Sequence, residues 1–202
     1  MSFYSSVRGL FRFLFLKTLT PTRIVGGEEF PEGPVVLCAN HLSAMDVLQL
    51  IPATPRKIHF MARKDLFKIP LVGCVIKAAG AFPVDRKNAD VSAIKNGMTV
   101  LKEGEVLGIF PQGTRCPGVH PASTAGKLRD GALMMAHRTH ATLVPSAIVV
   151  KNHRQRLFRK VTLVYGEPIP YEEYAPLIEG KNYSAATNML FDRICALYDS
   201  VQ

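Results

Sequence analysis

Short apolar runs alternate with longer stretches of helical periodicity along nearly the whole chain, and this alternation restricts it to the α/β class. Buried-strand patterns fall at residues 23–27, 34–38, 57–61, 81–84, 106–110, 143–150 and 161–165. Helical patterns begin near Ala44 and cover 66–78, 91–101, 131–137 and 184–198. Strands separated by helices pair in parallel, so the expected fold is a single domain with a mixed, mostly parallel sheet flanked by helices. The 202 residues, 48% of them hydrophobic, suffice for one sizeable core. No internal repeat, low-complexity stretch or Gly/Ser linker marks a second domain. Ligands of such folds gather on loops at the strand ends, and chemistry is expected there.

Charge narrows the partners. The formal charge is +9, with eight Lys/Arg against two acids over residues 53–87 and two against six over 167–202. A basic half suits nucleic acid, an anionic membrane leaflet or a phosphorylated substrate. Nucleic acid is not expected, because no binding motif is present and the basic stretches interleave with aliphatic rather than stacking residues. The cysteines Cys38, Cys74, Cys116 and Cys195 are dispersed, without CxxC spacing, and read as reduced thiols. His59, His120, His137, His140 and His153 lack metal-ligand company, so no metal and no cofactor are expected. No apolar run reaches the roughly 20 residues that span a bilayer. At the N-terminus Phe3, Tyr4, Val7, Leu10, Phe11 and Leu14 repeat at helical spacing, with Arg8 and Arg12 toward the other side. Residues 1–20 therefore read as an amphipathic helix lying on a membrane surface, and the alternative is a terminal helix packed on its own domain.

Residues 40–46, Asn-His-Leu-Ser-Ala-Met-Asp, directly follow the apolar run 35–39. His41 thus emerges where a buried strand gives way to a helix. With Ser43 as N-cap, Asp46 falls at N3 and its carboxylate turns back over the helix mouth, within reach of His41. A carboxylate on one imidazole nitrogen fixes the tautomer and leaves the other nitrogen to take a proton from a hydroxyl. The same residues also fit a plain capping box beside a loop histidine. Residues 110–115, Phe-Pro-Gln-Gly-Thr-Arg, place Gly113, Thr114 and Arg115 in one tight turn after a strand, able to hold a phosphate. Between these motifs, residues 61–86 interleave Arg63, Lys64, Lys68, Lys77 and Arg86 with apolar residues, as a basic groove beside a lipid channel would. Lys68 and Lys77 instead read as stems laid over apolar surface. Asp85 and Arg86 equally suit a structural ion pair. A serine hydrolase would need a G-x-S-x-G elbow, and none occurs.

Four blocks in order resemble the glycerophospholipid acyltransferases, the family that includes 1-acylglycerol-3-phosphate acyltransferases. Residues 40–46 resemble its histidine, four residues, aspartate signature. Residues 80–86 (Gly-Ala-Phe-Pro-Val-Asp-Arg), 110–115 and 144–149 (Val-Pro-Ser-Ala-Ile-Val) are similar to its second, third and fourth blocks. The resemblance spans residues 23–170 and implies an acyltransferase domain over 21–202. It implies that His41, oriented by Asp46, deprotonates the hydroxyl of a lysophospholipid acceptor, which attacks the thioester of acyl-CoA or acyl carrier protein without an acyl-enzyme. It implies that Arg115 and Lys64 bind the acceptor's phosphate, with Arg86 as a further member, at the cytoplasmic face of a membrane. The family usually carries glutamate where this chain has Gln112; the amide is expected to orient the turn by hydrogen bonding as the carboxylate would. Gln112 leaves open an acyltransferase for another lysophospholipid or for a lyso-aminolipid, whereas a non-catalytic lipid-binding protein of this fold would not need His41 and Asp46 together. Residues 151–160, with five Lys/Arg and no acid, suit anionic headgroups, an acidic carrier or a solvated hairpin.

Overall fold

The alternation resolves into a seven-stranded sheet with helices on both faces. The computed structural model describes residues 3–70, 72–84 and 91–201. In chain order, helix α1 (Phe3–Phe11) runs into a π-helical segment (Arg12–Leu19) and then β1 (Thr22–Val25) and β2 (Val35–Ala39). Helix α2 (Met45–Ala53), β3 (Ile58–Arg63), α3 (Val72–Ala78), β4 (Phe82–Val84), α4 (Val91–Lys102) and β5 (Val106–Ile109) follow. The chain ends with α5 (Gly131–Thr139), β6 (Thr142–Val150), β7 (Val161–Tyr165), the short α6 (Tyr171–Tyr174) and α7 (Ser184–Asp199).

The sheet order is β1-β7-β6-β2-β5-β3-β4. The five strands from β6 to β4 are mutually parallel, and β7 turns against β6 while pairing in parallel with β1. The reversal at β7 has a simple cause: residues 151–160 form a direct connection, too short for the crossover that a parallel return requires. From β2 the chain moves through β3 and β4 on one side, doubles back to β5, then crosses β2 to reach β6. The carboxyl ends of β2 and β5 therefore lie at the point where the crossovers reverse, where open α/β sheets form a crevice.

Because β2 is buried on both faces, its side chains divide between two cores. Val35, Leu37 and Ala39 pack with Leu50 and Ile51 of α2 and Phe11 of α1. Val36 and Cys38 pack with Leu101, Leu133, Ala136, Leu190 and Phe191 on the opposite face. Burial raises the pKa of the Cys38 thiol, so it stays protonated and behaves as a small apolar group.

Two expectations are corrected. The pattern over 66–78 is not one helix: a 3-10 turn (Lys64–Lys68) is followed by α3, with Ile69 extended at φ −81°, ψ 117°. Pro70 lacks an N–H and its ring excludes helical geometry at Ile69, which divides the segment. The N-terminal helix changes winding at Arg12, and its polarity differs from the regular wheel. Arg8 faces inward and donates to the Thr54 carbonyl at 2.8 Å, whereas Leu10 and Phe13 face outward, 55% and 61% exposed. A π-helical turn holds more than the 3.6 residues of the α-helix, so the periodicity shifts across the junction. The side chains of Phe3, Tyr4 and Val7 lie outside the described ones. Among the described residues no helix is long and apolar enough to cross a membrane.

Gly108 of β5 lies against the ring of Phe60, and a Cβ there would overlap that ring. Gly108→Ala is therefore expected to destabilise the fold by about 1–3 kcal/mol through overpacking, read as a lower urea midpoint at unchanged slope.

Candidate active site

The main chain leaves the sheet after Ala39, and Asn40 replaces the lost ladder with its side chain. Its Nδ2 donates to the Ile148 carbonyl at 3.0 Å, and its Oδ1 accepts from the Ile148 N–H at 2.7 Å. Both amide ends are thus satisfied in a fully buried position, and the chain turns without orphaning β6.

His41 follows, only 6% exposed, with Nδ1 at 2.7 Å from Asp46 Oδ2. The same oxygen accepts the N–H of Leu42 at 2.7 Å and of Ser43 at 2.8 Å. Ser43 Oγ in return accepts the Met45 N–H at 3.2 Å, so Ser43 and Asp46 bond reciprocally where α2 begins, but Ala44 rather than Ser43 stands at the N-cap, which places Asp46 one position earlier in the helix than expected. One oxygen of Asp46 thus meets both the imidazole and the backbone N–H groups of the turn. Since Oδ2 already accepts two backbone donors, Nδ1 is the donor to it, and the Nε2 lone pair is left to accept a proton. Phe110 stacks on the imidazole with centroids 3.9 Å apart and planes at 10°, and Phe60 stacks in turn on Phe110 at 5.9 Å. The ring is fixed both in plane and along its edge.

The turn after β5 docks on the same segment. Gln112 is buried, with Oε1 accepting the His41 N–H at 2.6 Å and Nε2 donating to Thr124 Oγ1 at 2.7 Å. A backbone N–H can only meet the amide oxygen, which fixes the orientation of the side chain. Thr124 passes its own proton to the Pro121 carbonyl at 2.6 Å. Further along, the Cys116 N–H donates to the His41 carbonyl at 2.8 Å, so both backbone polar groups of His41 are held by the 110–116 turn. Gly113 sits at φ +67°, where a side chain is strained, and a Cβ there would approach Arg129 Cγ to 3.0 Å.

Thr114 and Arg115 are exposed at the tip of this turn. Lys64 is exposed at the end of β3, on the same carboxyl edge of the parallel strands as His41 and the turn. Arg86, with Asp85, lies outside the described residues. Sequence reasoning overlooked Phe110 as a stacking partner, Thr124 as the far anchor of Gln112, Asn40 as a ladder substitute, and the exposed cation Arg129 beside Gly113. Only long-range contacts expose these roles. Asn40 alone had a local signal, a polar residue ending an apolar strand. Among the described residues no group of three or more His, Cys, Asp or Glu is placed to hold a metal ion.

Residues 22–149 match the family model described as Acyltransferase, and the chain belongs to that family. Its relatives include the 1-acyl-sn-glycerol-3-phosphate acyltransferase of Bacillus subtilis, 36% identical over 176 residues that cover 85% of each chain. The protein of the same name from Borreliella burgdorferi is 27% identical over 189 residues, 89% of this chain and 72% of that one. The fold is also similar to the crystal structure of the 1-acyl-sn-glycerophosphate acyltransferase PlsC from Thermotoga maritima. That match has a TM-score of 0.74 at 21% identity and covers 98% of this chain and 79% of the other.

Gln112→Ala would leave the His41 N–H without its acceptor and is expected to cost about 1–3 kcal/mol in urea unfolding. Gln112→Glu keeps that acceptor but obliges Thr124 to turn its hydroxyl from the Pro121 carbonyl to the new carboxylate, so its cost is expected to be the smaller of the two.

Proposed function

We propose that the protein transfers a fatty acyl group from an acyl thioester, acyl-CoA or acyl carrier protein, to the free hydroxyl of 1-acylglycerol-3-phosphate. The product is phosphatidic acid, for phospholipid biosynthesis. The observation that carries this reading is the 2.7 Å contact between His41 Nδ1 and a buried Asp46 oxygen, which aims an acceptor nitrogen outward at a sheet edge bearing exposed cations. Both relatives cited above carry the name of this activity.

In the proposed reaction His41 Nε2 removes the proton of the acceptor hydroxyl as its oxygen attacks the thioester carbonyl. Asp46 stabilises the imidazolium that forms. The tetrahedral intermediate collapses to the ester, the C–S bond breaks, and the thiolate recovers the proton from His41. No acyl-enzyme is required. Arg115 and Lys64, with Arg86, hold the acceptor phosphate, and Thr114 adds a hydroxyl donor. Gly113 admits the backbone to that anion. Gln112 serves as a positioning residue, since both ends of its amide are engaged by His41 and Thr124. Residues 1–20 act as the interfacial segment and residues 21–202 as the acyltransferase domain, at the cytoplasmic face of a membrane, peripheral or monotopic.

The test is transfer of a radiolabelled acyl group from either donor to lysophosphatidic acid in anionic lipid micelles, with lysophosphatidylcholine as parallel acceptor. Wild type is expected to make phosphatidic acid, and His41→Ala to lose on the order of 10²–10⁴ in rate. Asp46→Asn is expected to lose rate as well: its amide oxygen can keep the Oδ2 position and its three donors, but a neutral amide no longer stabilises the imidazolium that forms. If wild type acylates neither acceptor from either donor, the assignment fails. Gln112→Glu is expected to change the rate by less than about tenfold, the worth of one redirected hydrogen bond. A large gain in rate would show that the missing charge matters for catalysis.

A further inference from the structure

The connection between β6 and β7 is unlike the rest of the surface. Lys151, Arg154, Arg156, Arg159 and Lys160, with Gly118, line a pocket of about 430 Å³, and no acid is among its lining residues. Among the described residues none of these cations forms an ion pair. Like charges held this close repel one another, and a bound anion with several acceptor oxygens would relieve them.

The loop is nevertheless fixed. The Gly118 N–H donates to the His153 carbonyl at 2.7 Å, and His153 Nδ1 lies 2.7 Å from the Tyr198 hydroxyl. Asn152, His153 and Phe158 take left-handed backbone angles, at φ of 57°, 53° and 59°. For Phe158 that conformation is strained, and the side chain gains little packing in return, being 69% exposed beside Leu157 at 50%. The strain holds an apolar pair outward. The Phe158 N–H donates to the Leu19 carbonyl at 2.6 Å, which joins this tip to the end of the N-terminal segment that exposes Leu10 and Phe13.

We propose that the 151–160 loop is a binding site for anionic phospholipid, with phosphate headgroups in the cationic pocket and Leu157 and Phe158 in the acyl layer. It rests on the reading above that residues 1–20 lie on a membrane, and adds a second point of contact. Soluble phosphate compounds share the headgroup chemistry, but only a bilayer also takes up the exposed apolar pair. The pocket also lies on the carboxyl edge of β6, beside β2, so a lipid held there would orient the edge that carries His41 toward the interface.

The test is sedimentation of the full chain with phosphatidylcholine vesicles, with and without phosphatidylglycerol. Replacing Arg154, Arg156, Arg159 and Lys160 together by Gln is expected to weaken partitioning onto the anionic vesicles by at least about 100-fold. Leu157→Ser with Phe158→Gly is expected to weaken binding at both compositions without lowering the melting temperature, because glycine accepts the left-handed angle. Excess inorganic phosphate at constant ionic strength is expected to leave vesicle binding in place. If Leu10→Ser with Phe13→Ser releases the protein while both loop variants bind as wild type does, the loop inference fails and the N-terminal reading stands. If wild type does not sediment with anionic vesicles, both fail. If the loop variants keep vesicle binding but lose binding to acyl carrier protein, the site belongs to an acidic protein and the lipid assignment is overturned.

Discussion

One carboxylate oxygen holds the site together. Asp46 Oδ2 receives the His41 imidazole and the N–H groups of Leu42 and Ser43, all within 2.8 Å, in a fully buried position. These donors come from consecutive residues, so the oxygen fixes the ring and its supporting backbone together. Asp46 lies in the first turn of α2, where a negative charge also suits the helix dipole. The position of the imidazole is thereby the position of α2, and whatever locates α2 locates the imidazole.

Helix α2 is located at several points. Its inner residues Leu50 and Ile51 pack on β2, which also carries His41 past its carboxyl end. Gln49 donates to Thr20 Oγ1 at 2.8 Å, and Thr20 in turn donates to the Phe15 carbonyl, tying mid-helix to the π-helical segment. At the far end Arg8 holds the Thr54 carbonyl, while Thr54 Oγ1 meets the Tyr165 hydroxyl at 3.1 Å. Burial pushes the pKa of Tyr165 up to about 12, so that hydroxyl keeps its proton at neutral pH. The segment that the proposed reading lays on a membrane is thus hydrogen-bonded to the helix that orients the histidine.

Much of this was legible in local pattern. The apolar run 35–39 followed by a His, a Ser and then an Asp three residues further on predicts strand, loop and helix start, since each step is a short-range effect. The parallel character of the sheet followed from strands separated by helices. Pro70 carried the signal that divides the 66–78 pattern, but the apolar spacing across it concealed the break. The π-helical winding from Arg12 to Leu19 left no mark in residue type. Arg8 was misplaced because a regular wheel assigns a cation to the wet face, whereas a buried carbonyl at the end of α2 draws it inward. The Phe110 stack, the Thr124 anchor and Arg129 beside Gly113 depend on how separate strands meet.

Gln112 shows what such meeting does to the meaning of a residue. Beside Thr114 and Arg115 in sequence, it reads as part of a binding turn. In the fold, position 112 points into the protein while 114 and 115 point out, so neighbours in one motif serve different ends. Its buried contact needs an acceptor for the His41 N–H, and either an amide or a carboxylate oxygen supplies one. The second atom meets Thr124, whose hydroxyl can accept from the amide or donate to a carboxylate. A hydroxyl partner that can reverse its role makes glutamine and glutamate interchangeable in shape, and it explains how the turn can dispense with a negative charge while still holding the backbone of His41.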